Sequence, residues 1–169
     1  ALRGFECEAA LSAGVNMLFD PVTMRSNAIA GFTSISGRSH TFDSRADGYA
    51  RGEAIGAITY RRGGGTVSSG GVVSGSSVRQ DGRSASLTAP NGQAQQELLG
   101  ASLADACLRP KVVAVLEAHG TGTSLGDPIE AGAIAAVFLA RRGDADGVGF
   151  GSADATLGVG SLKANAGHT

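Results

Sequence analysis

Apolar and polar positions fall along the chain in blocks that predict strands alternating with helices, an α/β arrangement. Glu8 to Met17 (EAALSAGVNM) is a run of small and apolar residues that reads as a buried strand, broken at Asp20-Pro21. Asn27 to Arg38 is mixed and reads as a short helix and a turn. Ala54 to Tyr60 and Val72 to Val78 are the next strand candidates. Leu99, Leu103 and Ala106 recur at helical spacing, which predicts a helix over Gln93 to Cys107 capped by Asn91. Val112 to Glu117 is continuous and β-branched, the pattern of a strand covered on both faces. Asp127 is expected to cap the following helix, with Pro128 in its first position and Glu130 completing a capping-box-like pair. Ile129, Ala133, Val137 and Ala140 give that helix an apolar stripe. Arg141 and Arg142 suit its C-terminal end, and Gly143 its stop. Leu157 to Lys163 reads as a last strand.

Polar, turn-rich loops separate these blocks at Thr41 to Gly52, Gln80 to Gly92 and His119 to Gly126. Arg62 to Gly71 has the lowest complexity and is the best place for a connection between two subdomains. Hydrophobic residues at 42% and charged residues at 17% fit a chain with a buried core rather than a disordered one. A net charge of −1, with no basic stripe, argues against nucleic acid as a partner. No apolar run is long enough to span a bilayer, so no membrane is expected, and no signal-peptide pattern opens the chain. Cys7 and Cys107 lack a CxxC partner, which argues against a disulfide framework or a zinc site and makes a reducing, cytoplasmic setting the default. The chain starts at Ala1 and ends at Thr169 directly after a histidine motif, so both ends read as cut and the chain as a fragment.

His119 and His168 each follow a buried-strand candidate, where α/β folds build sites. Were those strands neighbours, both imidazoles would converge on one pocket. Two neutral imidazoles in a dry pocket can donate hydrogen bonds to a thioester carbonyl as charge develops, and can move protons near neutral pH. Lys163 lies in the same short segment as His168 and can tune it. The plainer alternative is that these residues only cap and satisfy loop backbones. Gly120-Thr121-Gly122-Thr123 lacks the lysine of a phosphate loop. Its hydroxyls suit the amides of an extended ligand, or local turn bonds. Cys7 and Cys107 read as partly buried small hydrophobes, and His40 as surface or structural. Asp43 and Asp47, followed by Gly48, read as loop stabilisers rather than a metal site.

Five segments, in order, resemble the ketosynthases (condensing domains) of polyketide and fatty-acid synthases. EAHGTGTSLGDPIEAGA (Glu117 to Ala133) is similar to the signature around the family's first catalytic histidine. GSLKANAGHT (Gly160 to Thr169) is similar to the segment with its lysine and second histidine. ALSAGVNML, TFDSRADGYARGE and VRQDGRSASLTAPNGQAQQ complete the series, the last most like type I polyketide synthases. The Arg62–Gly71 stretch is shorter than usual, Asp144–Thr156 longer, and Ala164 and Ala166 replace a Thr and a larger apolar residue.

The resemblance implies a thiolase-like layered α/β/α fold, here incomplete. Residues 1–66 would end the N-terminal half and residues 67–169 would begin the C-terminal half. It implies a Cys-His-His site in which His119 and His168 are the histidines and Lys163 the accompanying lysine. Thr121 and Thr123 would contact a phosphopantetheine arm delivered by an acyl carrier protein, with no cofactor bound directly. Asp127 would be structural support and helix cap, with Glu130 also supporting. The nucleophilic cysteine would lie upstream of Ala1, in a TACSSS-type motif absent here. The implied activity is decarboxylative condensation of acyl and malonyl-type thioesters, in a protein that is homodimeric when complete. A non-condensing, decarboxylase-like relative or chain-length partner is the alternative. A purely structural dimer-forming module would have no use for His119, Lys163 and His168 together.

Overall fold

Asp20, read above only as a breaker, starts a helix. Its carboxylate accepts from Val22 N at 3.0 Å and Thr23 N at 3.0 Å, and Pro21 fills the first turn. Helix α1 therefore spans Pro21–Ile29, not the region from Asn27 onward. The computed structural model describes residues 2–63, 70–84, 86, 89–139 and 156–169. Strand β1 (Ala9–Asn16) precedes α1, and β2 (Ala54–Arg61) pairs with β1 antiparallel, Ala9 opposite Arg61 and Asn16 opposite Ala54. Both strands fall where the apolar blocks predict them, but β1 is not the buried strand expected: most of its residues are exposed, because among the described residues no second layer covers the β1–β2 ribbon.

The expected strand over Val72 to Val78 is absent. With no neighbouring strand to pair with, Ser76 N donates instead to the Asp105 carboxylate at 2.7 Å and Ser74 O accepts from Arg3 at 2.7 Å. Arg3 also pairs with Asp105 at 2.6 Å. Helix α2 (Gly92–Asp105) starts at its expected cap: Asn91 accepts from Gln93 N at 3.0 Å and Ala94 N at 3.2 Å. We expect Asn91→Ala to cost about 1 kcal/mol, read as a lower denaturation midpoint at unchanged m-value. The other end of α2 corrects the reading of Cys107. This residue is exposed, at φ +54°, in the left-handed position that glycine usually takes. Leu108 N donates to Leu103 O at 2.9 Å and Cys107 N to Ala104 O at 3.0 Å, closing the helix. Cys7 is half-buried.

The Val112–Glu117 block is only partly a strand. Pro110–Val112 forms a 3₁₀ turn and β3 spans Val115–Glu117. Nor is it covered on both faces: Leu116 packs toward the core while Val115 is 74% exposed. Helix α3 (Gly126–Ile134) continues into a π-helical turn, Ala135–Leu139. Ala140 to Gly143, the expected end of this helix, lie outside the described residues, as does most of the Arg62–Gly71 connection. Strand β4 (Gly158–Gly160) is shorter than expected, because the chain turns at Ser161 into helix α4 (Lys163–Ala166). It pairs with β3 in parallel, Val115 opposite Gly158 and Glu117 opposite Gly160.

Ala118, Ala133, Ile134, Val137 and Phe138 form the buried apolar core among the described residues. Leu99 and Leu103 of α2 and Leu116 and Leu157 beside the second sheet pack against it. The core thus sits directly beneath the ends of β3 and β4, from which the histidines emerge.

Candidate active site

Parallel pairing of β3 and β4 brings both histidine segments to one end of one sheet. The two imidazoles stand edge to face, at 89°, with ring centroids 6.0 Å apart. This is the convergence expected if the strands were neighbours. A dry pocket is not formed around the pair among the described residues: His119 is exposed and His168 half-buried.

The loop after β3 is held by carboxylates from the N-terminal half of α3. Glu130 accepts from His119 N at 2.7 Å and Gly120 N at 2.8 Å. Asp127 accepts from Gly122 N at 3.0 Å, Thr123 N at 3.2 Å and, through its other oxygen, Phe42 N at 2.7 Å. Neither residue caps the helix, which corrects the capping-box reading. The N-cap position is Leu125, which makes no side-chain capping bond, and the N–H of the first helical residue, Gly126, donates to the Thr123 hydroxyl at 3.1 Å. A carboxylate is nonetheless favoured at the positive end of a helix, and here Asp127 hands that field on to a loop.

Sequence reasoning did not single out Thr41, Ser161 or Glu117, and the fold uses all three. The Thr41 hydroxyl donates to Gly120 O at 2.6 Å, and the Ser161 hydroxyl to the same oxygen at 3.2 Å. Glu117 accepts from Leu162 N at 2.5 Å, tying the end of β3 to the second histidine segment. Gly120 has φ +46°, and a Cβ there would lie 2.6 Å from both Ser161 Cβ and Thr41 Cγ2. Only glycine lets three segments meet at that carbonyl. The sequence signal for this is weak: a hydroxyl residue beside a turn has many bland uses.

Thr121 is buried, and its hydroxyl is 3.4 Å from that of Thr123, too long for a good bond. Thr123 borders an open cleft of about 370 Å³ with Phe42, Ser124, Asp127 and Pro128. Neither this cleft nor a second one of about 500 Å³ is lined by His119 or His168. Imidazole geometry, not a cavity, therefore locates the candidate chemistry.

His168 Nδ1 lies 3.0 Å from Thr169 O. Burial pushes the pKa of His168 below its ordinary value of 6.5, opposed by that backbone bond and aided by the charges of Lys163, His119 and Arg51. The ring is thus held neutral near pH 7. Lys163 acts on it as a nearby charge from the first residue of α4. Outside the pair, His40 Nε2 is 3.4 Å from Ser36 Oγ, at the limit of a contact. The Asp43 carboxylate is held well below the usual carboxylate range, chiefly by the hydrogen bond from the Arg45 side chain. No group of three or more potential metal ligands occurs among the described residues, and no helix there is long and apolar enough to cross a membrane.

Comparison with known proteins gives this geometry a family. The profile of the beta-ketoacyl synthase N-terminal domain matches residues 1–62, and that of the C-terminal domain residues 70–169. A phenolphthiocerol/phthiocerol polyketide synthase chain of Mycobacterium tuberculosis is 41% identical, over 100% of this chain and 9% of its own length. The lovastatin diketide synthase of Aspergillus terreus is 39% identical, over 100% of this chain and 6% of its own. This chain therefore spans less than a tenth of these relatives. Among solved structures, an oxazolomycin ketosynthase domain from Streptomyces albus superimposes with a TM-score of 0.84 at 35% identity, covering 99% of this chain and 28% of that one. The ketosynthase from module 6 of the bacillaene synthase of Bacillus subtilis gives 0.83 at 31% identity, covering 99% and 29%. The fold is thus the thiolase-like α/β fold of ketosynthases, of which this chain is a part. By both profiles and by structure, the chain belongs to the beta-ketoacyl synthase family.

Proposed function

We infer that this chain supplies the two histidines of a condensing enzyme of polyketide biosynthesis. The observation that carries this is the pairing of His119 and His168 at the ends of adjacent parallel strands, in a chain of this family. The parent domain joins an acyl thioester to a malonyl-type unit, both carried by acyl carrier protein. A cysteine thiolate, from a part of the parent outside these residues, takes the acyl group and releases the carrier thiol. The malonyl-type unit then loses carbon dioxide, and the freed electron pair forms an enolate whose oxygen His119 and His168 stabilise by hydrogen bonds. The enolate carbon attacks the acyl thioester, the cysteine thiolate leaves, and a β-ketoacyl product results. A neutral imidazole carries one N–H, so donation from His168 Nε2 uses the Nε2–H tautomer, in which Nδ1 does not donate to Thr169 O.

Thr121 and Thr123 hold the phosphopantetheine arm of the carrier, and the charge of Lys163 adds to the burial that keeps His168 neutral. Asp127 and Glu130 support the loop. The halves of the ketosynthase divide near residue 66, and the parent works as a cytoplasmic homodimer.

The test uses the full ketosynthase domain containing this chain, with acyl and malonyl carrier substrates. His119→Ala and His168→Ala are each expected to lower decarboxylation about 10²–10⁴-fold while acyl label still loads on the nucleophile. Full decarboxylation and condensation in both variants would sink the reading. Decarboxylation in the unaltered domain without carbon–carbon bond formation would move it to the non-condensing class. The lowered pKa of His168 also sets the pH profile. The neutral ring is fully present above 6.5, and activity is lost as pH falls through the depressed folded value, so the acid limb lies below 6.5.

A further inference from the structure

Tyr49 lies in the turn-rich segment before β2, and nothing in the mechanism above uses it. Its ring centroid is 4.9 Å from that of His168, with the planes tilted by 42°. This is packing distance for two aromatic rings, at a tilt between the stacked and edge-to-face arrangements. His168 therefore has two ring neighbours, His119 and Tyr49.

The backbone fixes both partners of this contact. Tyr49 N donates to Phe32 O at 3.0 Å and Ser34 N to Tyr49 O at 3.0 Å, a parallel bridge that leaves the residue little freedom. Immediately downstream, His168 N donates to Ala50 O at 2.7 Å and Gly52 N to His168 O at 2.9 Å. Gly167, at φ +77°, permits this approach; a Cβ there would sit 3.1 Å from Arg51 O. Immediately upstream, Gly48 N donates to Gly122 O at 2.9 Å, in the loop that carries His119. Residues 48–52 thus touch both histidine segments. Backbone bonds alone fix where the Cα of His168 lies, but not its χ angles. The Nδ1 contact with Thr169 O acts on one edge of the imidazole, and the half-buried Tyr49 ring adds a packing constraint on those angles.

We propose that Tyr49 is a positioning residue: its ring, through packing on His168, holds that imidazole beside His119. Among the described residues the Tyr49 hydroxyl makes no hydrogen bond, so the ring carries the effect and phenylalanine should substitute for it. The function assigned to this contact rests on the reading of His168 as a catalytic histidine. The contact itself does not.

The experiment is made on the full ketosynthase domain with ¹³C-labelled histidine. In the unaltered domain, cross-relaxation between the Tyr49 ring and the His168 ring protons is expected, with a ring-current displacement of the His168 signals. Tyr49→Phe keeps that displacement and stays within about twofold in kcat. Tyr49→Leu loses it and lowers kcat for malonyl decarboxylation about tenfold or more, with KM for the malonyl carrier within about twofold, as a misplaced catalytic group does. The Leu variant also moves the acid limb of the rate profile up toward 6.5, because the ring that shields His168 from water is gone while Lys163, His119, Arg51 and Thr169 O stay in place. No cross-relaxation in the unaltered domain overturns the proposal, and does so without any variant. So does a Tyr49→Phe variant as impaired as Tyr49→Leu, or a Leu variant with unchanged kcat and acid limb. Full activity in His168→Ala would instead overturn the catalytic reading, while the magnetic signals still decide whether Tyr49 holds the imidazole.

Discussion

Asp127→Asn in the full domain is expected to cost about 2–4 kcal/mol of stability and to lower condensation about 10²-fold. The carboxylate is 3% exposed and accepts from three backbone N–H groups, those of Gly122, Thr123 and Phe42. An amide of the same shape keeps one acceptor oxygen and turns a donor toward an N–H. At least one buried or half-buried N–H is then left without a protein partner, which costs more than a missing bond is worth when made. The loss is local but not isolated. Gly122 and Thr123 lie just beyond His119, and Phe42 lies in the segment whose Thr41 hydroxyl reaches Gly120 O. A shift of the loop by an ångström takes His119 away from its partner ring. Chemical denaturation and turnover measure the two effects separately. An unchanged midpoint with unchanged turnover would show that Glu130 and Thr41 suffice to hold the loop.

Much of this site is legible in the residues alone. Blocks of apolar residues locate β1, β2 and α2, because small-residue runs and helical spacing are local signals. The order of strands and histidines points to convergence, and the parallel pairing of β3 with β4 delivers it. What fails does so for definite reasons. Asp20 carries two signals, breaker and cap, and the second decides the local structure. Asp127 and Glu130 have capping-box spacing, yet a loop of unpaired N–H groups competes for the same oxygens and wins. Val72 to Val78 has strand composition, but a strand needs a partner, and composition cannot show one. Tyr49 and Ser161 touch groups distant in sequence, the His168 ring and Gly120 O, and no local pattern marks such contacts.

The 169-residue chain on its own is expected to melt without a cooperative transition, to bind an apolar dye, and to associate as its concentration rises. In β1 and β2, Leu11 is 67% exposed, Val15 68%, Ile55 84% and Ile58 59%. The register sets Val15 opposite Ile55, and Ile58 opposite Ser12, so both faces of the ribbon carry uncovered aliphatic side chains. Left exposed, these four forgo roughly 6–12 kcal/mol of burial, comparable with the whole stability of an ordinary domain. A two-stranded ribbon does not hold itself together in water, and its outer edges invite pairing with other chains. The buried apolar core among the described residues, centred on Ile134, Val137 and Phe138, lies under the second sheet and does not reach the first. Solved ketosynthases have more than three times as much chain to cover these faces, since this chain spans 28–29% of them. Differential scanning calorimetry at two concentrations decides the matter. A sharp, concentration-independent transition of a monomer would mean that some other packing covers the β1–β2 ribbon. A broad or absent one, replaced by a cooperative transition once the rest of the domain is present, would place the missing stability in the burial of those two faces.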